Sequence, residues 1–273
     1  MPAAADVIYR YDGSFEGFLC CVFASYEYRE IPVEIYGPED GQLSLLFLRE
    51  IVTDPVKAQR VWTSVPEKIG REALDLVQKA FCSCLEQKEL AMLLFLRAGY
   101  RYGPAVMSRL ADRDVHRLFK AVRHLENESH LLCGFIRFAA YSGVLVARIG
   151  PKNYVLPFIA DHFQQRYPEE RFLIYDEIHK MALIYQPYEL EVASMERLEL
   201  PAPEEGEVHC RNLWQAFYDA VEIQSRHNPK CRRNMMPKRY WPYMTEFNRS
   251  PVVPVAADTV PVMQSLCYCH DEK

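Results

Sequence analysis

Apolar positions in the first hundred residues fall mostly at helical spacing. After "YDGS" they follow the i, i+3, i+4, i+7 pattern of a helix with one buried face, at Phe15, Phe18, Leu19, Val22, Phe23 and Tyr26. The Ser14 hydroxyl can accept a hydrogen bond from the free amides of that helix's first turn. "YREIPVEIYGPEDGQ" then breaks the helix and holds one short possible strand, before helical patterns resume over 54–99. We therefore predict a mostly helical region over residues 1–105.

A different pattern begins after residue 105. "RDVHRLFKAVRHLENESH" has helical spacing, and "HLLCGFIRFAAYSGVLVARIG" contains two β-rich runs around a Tyr-Ser-Gly turn. "KNYVLPFIADHFQQRYP" predicts a helix with Pro157 in its first turn. "RFLIYDEIHKMALIYQ" predicts two more strands joined by a polar turn at 176–180. The order β-β-α-β-β predicts an α+β domain over 106–247, with an antiparallel sheet covered by helices.

The remaining C-terminal elements are a linker, a helix and a tail. Residues 199–208 form an acidic, Pro-containing linker, and an amphipathic helix follows through Leu213, Trp214, Phe217, Val221 and Ile223. We expect Asn228-Pro229 to end that helix. Residues 248–273 predict an extended or disordered tail.

One stretch departs from the charge of the rest of the chain. We call residues 226–244, "RHNPKCRRNMMPKRYWPYM", the basic-aromatic segment. It holds six cations and no Asp or Glu, whereas the remainder has 26 Lys and Arg against 37 Asp and Glu. The cations are Arg226, Lys230, Arg232, Arg233, Lys238 and Arg239.

Nucleic acid would suit this combination of residues. Cations neutralise phosphates and release counterions, while Tyr240, Trp241 and Tyr243 could stack on exposed bases. The alternative is that the cations are solvated and the aromatic rings pack back onto the sheet. A pI near 5.9 argues against non-specific coating of DNA, so we expect a focused patch on a docked loop.

Composition narrows the class of protein further. A hydrophobic content of 49% supports a folded core, and the N-terminus lacks a signal-peptide pattern. No apolar run is long enough to cross a membrane, so we expect a cytoplasmic protein. Nine cysteines do not suggest a disulfide framework. "CYCH" (Cys267, Cys269, His270) lacks a second ligand pair, so we predict neither a metal nor a cofactor.

Catalytic motifs are missing from the sequence. It contains no P-loop, dinucleotide-binding glycine turn, G-x-S-x-G elbow or H-E-x-x-H. The catalytic candidates are Asp161 and His162 in "ADHF", and Asp176 and His179 in "YDEIHK". An Asp that orients a His could perform general-base work, although Asp176 and His179 also suit a hairpin turn.

Three further polar residues are candidates for structural or binding roles. Glu128 and His130 lie in "ENESH", and Arg137 lies between aromatic residues in "FIRF". Strand alternation would place Arg137 on a sheet face. It would there either pair with Glu128 or contribute to a binding surface, and an ion pair is the more common outcome.

Several stretches together resemble one bacterial family, that of probable DNA metabolism or putative DNA repair proteins. These stretches are "YDGSFEGFLCCVF", "TDPVKAQRVW", "ESHLLCGFIRF", "VLPFIADHFQQRYPEERFLIYDEIHKMALIY", "LWQAFYDAVEIQSRHNPK" and "MPKRYWPYM". The resemblance implies a C-terminal domain of unknown function, a radical-SAM DNA modification or repair protein as partner, and an association with uracil-DNA-glycosylase-like proteins. It supplies no active site.

We therefore hypothesise that the protein is an accessory protein of DNA repair or modification. It would bind single-stranded or distorted DNA through the basic-aromatic segment and work with the radical-SAM partner. Two alternatives remain open. One is a DNA-acting enzyme, of nuclease or base-excision type, that uses the Asp and His groups. The other is a protein–protein scaffold without DNA contact.

Overall fold

The computed structural model describes residues 6–38 and 46–248, and the chain divides into two compact units, Met1–Asn127 and Glu128–Lys273. The boundary predicted between residues 105 and 106 falls in a 3-10 helix of the first unit, Gly103–Ser108. Apart from Asn248, the predicted tail lies outside the described residues. In the described part of the chain, no helix has both the length and the apolar character needed to cross a membrane.

Helices dominate the first unit, but it also contains a three-stranded parallel sheet of order β2-β1-β3. Of these three strands the sequence pattern indicates only β2; β1 and β3, of four residues each, were not predicted. The elements are β1 (Val7–Arg10), α1 (Phe15–Glu27), β2 (Glu34–Tyr36), β3 (Phe47–Glu50), α2 (Pro55–Lys68), α3 (Arg71–Phe81), α4 (Lys88–Tyr102) and α5 (Arg113–Phe135), which continues into the second unit.

Helix α1 begins where the sequence predicts. The extended Ser14 accepts a hydrogen bond from the Gly17 amide at its Oγ, at 2.9 Å. Gly13 has a φ of 82°, a left-handed conformation that glycine adopts without a steric penalty. The first apolar residue, Phe15, meets Phe81 of α3 edge to face, with ring centroids 5.2 Å apart. The prediction of Ser14 as N-cap is therefore confirmed.

The second unit is built on a five-stranded sheet of order β4-β5-β6-β7-β8, layered with helices. This confirms the predicted α+β class. The elements are β4 (Ala139–Tyr141), β5 (Val144–Ile149), α6 (Leu156–Arg166), β6 (Phe172–Asp176), β7 (Met181–Gln186), β8 (Glu189–Ser194), α7 (Glu205–Ala220) and α8 (Pro229–Met235), with 3-10 helices at Gln224–Arg226 and Lys238–Tyr243.

Two details of this sheet differ from the sequence prediction. The sheet is not wholly antiparallel, because β5 and β6 are parallel, with Val146 paired to Leu173. Helix α6 carries the chain back along the sheet before β6 begins, so the two strands run in one direction. The additional strand β8 alternates Leu190 and Val192 with glutamates, the pattern of a half-exposed edge strand that was not predicted.

The two faces of this sheet are covered by different groups. On one face, Phe172 packs edge to face against Phe163 of α6 and stacks on Tyr185, with ring centroids 6.5 and 4.8 Å away. The opposite face carries a buried cluster of Tyr141, Val144, Val146, Leu173, Tyr175 and Ala182. Arg148 is two residues beyond Val146 on the same strand and therefore lies on this second face.

Helix α5 extends further than its sequence pattern indicates. Leu125 and Leu132 are both buried and lie two helical turns apart, so the apolar spacing of α5 continues beyond the predicted helix. The helix ends at Phe135, within the run predicted to start a strand. Arg137 consequently lies in the connection between α5 and β4, and its predicted position in a strand is wrong.

Replacing Ser14 by Ala should lower the free energy of unfolding by about 1 kcal/mol, because the Gly17 amide loses its acceptor. Ser14→Thr keeps a hydroxyl at the cap and should cost less. Urea unfolding followed by far-UV circular dichroism measures both variants. Equal losses in the two would contradict a capping role for this hydroxyl.

Candidate functional site

A buried carboxylate on α5, that of Glu128, connects three distant parts of the second unit. Its side chain is 1% exposed. It accepts hydrogen bonds from the amides of Lys152 and Asn153 at 3.1 and 2.8 Å, and from Asn153 Nδ2 at 2.5 Å. Arg239 Nη2 lies 2.8 Å away and the Tyr240 hydroxyl donates at 3.0 Å. Glu128 therefore anchors the basic-aromatic segment to α5 and to the loop after β5.

The protonation states within this network favour the ion pair. Burial alone would raise the pKa of Glu128. The hydrogen bonds from Asn153 and Lys152, together with the Arg239 charge, outweigh that effect and hold the pKa below its ordinary value. Burial and the adjacent Glu128 charge raise the pKa of Tyr240 to about 12. At neutral pH the carboxylate is therefore charged and the phenol remains a donor.

The basic-aromatic segment is folded rather than extended. Helix α7 starts in the predicted linker and ends at Ala220, well before Asn228-Pro229. The Asn228 side chain instead caps α8, accepting from the Cys231 amide at 2.9 Å, and Pro229 occupies the first turn. The expectation that this dipeptide ends the preceding helix is wrong, because the same residue types also begin helices.

The aromatic residues of the segment make contacts within the protein. Tyr240 is 1% exposed, so in this conformation it offers no face to a base. Trp241 is half-buried and stacks on Phe247, with ring centroids 4.5 Å apart and planes inclined by 15°. The Trp241 Nε1 group also donates to the Met236 carbonyl at 3.0 Å. These rings hold the segment in place.

The six cations of the segment divide into two groups. Arg239 pairs with Glu128, and Arg232 lies 5.7 Å from the Trp241 ring and 5.8 Å from Phe247. Nε of both arginines is buried without a hydrogen-bond acceptor in the described residues. The other four are exposed and form no ion pair with any described carboxylate. They are Arg226, Lys230, Arg233 and Lys238.

A second buried carboxylate, Glu246, holds Arg137. Arg137 donates to it from Nη2 at 2.8 Å and from Nε at 3.2 Å, and Trp214 Nε1 donates at 3.1 Å. Burial would raise the pKa of Glu246, but the hydrogen bonds from Arg137 and Trp214 leave it lowered. The ion pair expected for Arg137 therefore exists, with Glu246 rather than Glu128 as its partner. His130 is exposed on α5, two residues from Glu128.

A cavity of about 700 Å³ lies among β5, α7 and residues 242–245. We call it the α7 cavity. Arg137, Arg148 and Arg211 line it, together with Glu177, Tyr141 and Tyr243. Of these residues, the sequence analysis singled out only Arg137 and Tyr243. The others come from separate elements, and their convergence has no local signal.

The Asp and His candidates do not form one site. Asp161 and His162 are exposed on α6. Asp176 and His179 do meet, with Oδ2 and Nδ1 2.6 Å apart, in the turn between β6 and β7. Asp176 also accepts from two backbone amides of that turn, which is the conformational role considered for it. None of the four lines the α7 cavity, and no three His, Cys, Asp or Glu side chains among the described residues could hold a metal. The "CYCH" sequence lies outside those residues.

Substituting Glu128 by Gln should lower the free energy of unfolding at pH 7 by about 3 kcal/mol, since Arg239 loses its buried counter-ion. A carboxylate with a lowered folded-state pKa stabilises the fold above its unfolded pKa of about 4.3, and that stability is lost as the pH falls through the folded value. The variant should therefore lose less stability than the wild type between pH 5 and 3.

Thermal unfolding across a pH series measures this difference. Glu126→Gln is the matched control, because Glu126 lies on the same helix but pairs with Lys79 at the surface, with its side chain 50% exposed. It should change the free energy of unfolding by about 0.5 kcal/mol or less. Indistinguishable pH profiles for Glu128→Gln and the wild type would contradict an ionised, stabilising Glu128.

Comparison with known proteins identifies one family. A family model described as a domain of unknown function, DUF4130, matches residues 86–246. No match was found among curated proteins or among solved structures. The matched range includes Glu128, Glu246 and every residue named above as lining the α7 cavity. Because it spans more than half of the chain, the protein belongs to the DUF4130 family.

Proposed function

We propose that this protein is a DNA repair or modification accessory protein that binds nucleic acid through the exposed cations of residues 226–238. The observation that carries the proposal is that Arg226, Lys230, Arg233 and Lys238 are exposed and form no ion pair with a described carboxylate. Exposed cations without a carboxylate partner can exchange their counterions for phosphates, which is the main source of nucleic-acid affinity.

The geometry of the segment supports a defined surface. Lys230 and Arg233 are three residues apart on α8 and therefore share one face. The short helix is held by the Asn228 cap and by the stacked pair of Trp241 and Phe247. Since the rest of the chain carries a formal charge of −11, an approaching polyanion is directed to this patch.

The role assigned to individual residues follows from their burial. Arg239 and Tyr240 hold the segment on Glu128, so neither contacts a phosphate or a base. Trp241 could offer a base only the face that Phe247 leaves open. The exposed cations supply the affinity by contacting the phosphate backbone of the nucleic acid. Such contacts discriminate little between base sequences.

The biological setting of the proposal rests on the resemblance to DNA metabolism proteins. The resemblance implies a radical-SAM protein as partner. That partner would catalyse the DNA modification or repair reaction, and this chain would bind the single-stranded or distorted DNA. A uracil-DNA-glycosylase-like protein is a further partner under the same resemblance. The Asp and His groups are not assigned a catalytic role, because they do not converge.

Salt-dependent binding of a fluorescent single-stranded oligonucleotide tests the proposal. The triple variant Lys230→Ala, Arg233→Ala and Lys238→Ala should bind more weakly. Its slope of log K against log salt should be smaller by about 2, because each phosphate neutralised on a single strand contributes roughly 0.7 to that slope. Arg197→Ala removes an exposed cation far along the chain from the segment and should leave the slope unchanged. Equal slopes for the triple variant and the wild type would sink the proposal.

A scaffold role is a second candidate, favoured by the apolar face of α7. None of the residues of α7 is buried, and Leu213, Phe217, Val221 and Ile223 on and after it are more than half exposed. An apolar face of this kind is typical of protein interaction sites. Its occupant would be the radical-SAM protein.

Phe217→Asp should abolish binding to the purified radical-SAM partner, measured by analytical ultracentrifugation in the presence of nuclease. Asn212→Asp places the same charge at an exposed position five residues before Phe217, on a different face of the helix, and should leave binding intact. Binding that both variants retain would remove α7 as the contact surface.

A further inference from the structure

We propose that the α7 cavity binds a phosphorylated nucleoside. This deepens the nucleic-acid function proposed above, on which it rests for its setting, but it depends on different residues. Its volume of about 700 Å³ is within the range of small-molecule sites in proteins. Its lining combines the Tyr243 ring with arginines and a side-chain amide, and each part matches one part of such a ligand.

Two arginines of the cavity are each oriented by a carboxylate and keep N–H groups that donate to no described residue. Arg148 donates to Glu177 from Nε at 2.7 Å and also from Nη2. Arg211 donates to Glu207 from Nε at 2.7 Å and to the Tyr141 hydroxyl from Nη2 at 3.4 Å. No described residue accepts from Nη1 of either. A guanidinium fixed along one edge offers its remaining N–H groups to an anion in a defined direction.

The third arginine has a structural function. Arg137 uses Nε and Nη2 on Glu246, and its Nη1 donates to the carbonyls of Gly134 and Ile136 at 2.8 and 3.2 Å. The phosphate-binding pair is therefore Arg148 and Arg211.

The rest of the lining suits a nucleobase. Tyr243 lines the cavity with a half-buried ring, and an aromatic face stacks on any base. The Asn212 amide lines the cavity without a hydrogen-bond partner among the described residues, whereas the neighbouring Gln215 amide donates to the Thr245 carbonyl at 2.8 Å. A side-chain amide carries both a donor and an acceptor, as the edge of a base does.

The charge balance of the cavity excludes a bare anion as the preferred ligand. Glu177 and Glu207 offset the charges of the two arginines, so inorganic phosphate gains little net attraction there. A nucleotide adds the burial of its base against the Tyr243 ring. A nucleoside without phosphate would leave the two Nη1 groups unused. Only a ligand with both parts engages the whole lining.

Gly150 keeps Tyr243 in the cavity wall. A Cβ at this position would lie 2.2 Å from the Tyr243 hydroxyl oxygen and 2.8 Å from Cζ. That hydroxyl donates to Glu177 Oε2 at 3.1 Å, and Glu177 in turn orients Arg148. A side chain larger than hydrogen at 150 therefore displaces the ring and loosens the phosphate-binding arginine.

Isothermal titration calorimetry on the full chain tests the proposal. The probes are the four deoxynucleoside monophosphates, deoxyadenosine, inorganic phosphate and a short oligonucleotide with a 5′-phosphate. At least one monophosphate or the oligonucleotide should bind about tenfold more tightly than either deoxyadenosine or phosphate, as expected for one additional charge-assisted hydrogen bond or one stacked base. Preference for the monophosphate identifies a free nucleotide as the ligand, and preference for the oligonucleotide identifies a strand terminus.

Variants connect the binding to the cavity. Arg148→Gln should weaken it about tenfold. The fold should tolerate this change, because the Arg148 side chain is 54% exposed and Glu177 keeps the Tyr243 hydroxyl. Asn212→Ala and Gly150→Ala should each weaken binding as single variants, the second by loosening Arg148 through Tyr243 and Glu177. Arg197→Gln, an exposed arginine outside the lining, should leave it unchanged.

Two results would overturn the inference. One is the absence of binding by every phosphorylated probe, and the other is unchanged affinity in Arg148→Gln and Asn212→Ala together. The triple variant of Lys230, Arg233 and Lys238 separates the two proposals. Retained binding of a monophosphate with weakened affinity for single-stranded DNA supports both sites. Loss of monophosphate binding in that variant places the ligand on the segment and overturns the cavity assignment.

Discussion

The buried carboxylate of Glu128 is the constraint on which the second unit depends. It brings together a helix, the loop at 152–153 and the C-terminal Arg239 and Tyr240. A charged residue that is 1% exposed is tolerated only when protein donors form hydrogen bonds to its carboxylate oxygens. The partners of Glu128 therefore have little freedom to move. The position of the basic-aromatic segment therefore follows from the solvation requirement of one side chain on α5.

That constraint divides a single cationic stretch into two functions. Arg239 meets a buried carboxylate and becomes part of the interior network, whereas Lys230 and Arg233 meet no described carboxylate and remain exposed. Both kinds of residue carry the same charge. Their positions differ in whether the fold brings a carboxylate within reach, and the exposed group is the one that a polyanion can reach.

A second network extends the same principle to the α7 cavity. Glu246 fixes Arg137, and Glu177 fixes both Arg148 and the Tyr243 hydroxyl. Carboxylates that orient arginines create directed N–H groups at little conformational cost to a ligand. The DUF4130 match includes both networks, so the surface of the segment and the cavity belong to the family's own domain.

Local patterns in the sequence determined the α+β class, the Ser14 cap and α6 with Pro157 in its first turn, because each depends on residues within a few positions of one another. Those local patterns did not indicate β1 and β3, which are defined by their pairing in the parallel sheet. Tertiary structure alone decided that Tyr240 is buried against Glu128, 112 residues away, and that Arg137 pairs with a carboxylate 109 residues away. The sequence shows which donors and acceptors exist, but packing between distant elements selects the pairs, and those pairs decide which cations and cavities remain open.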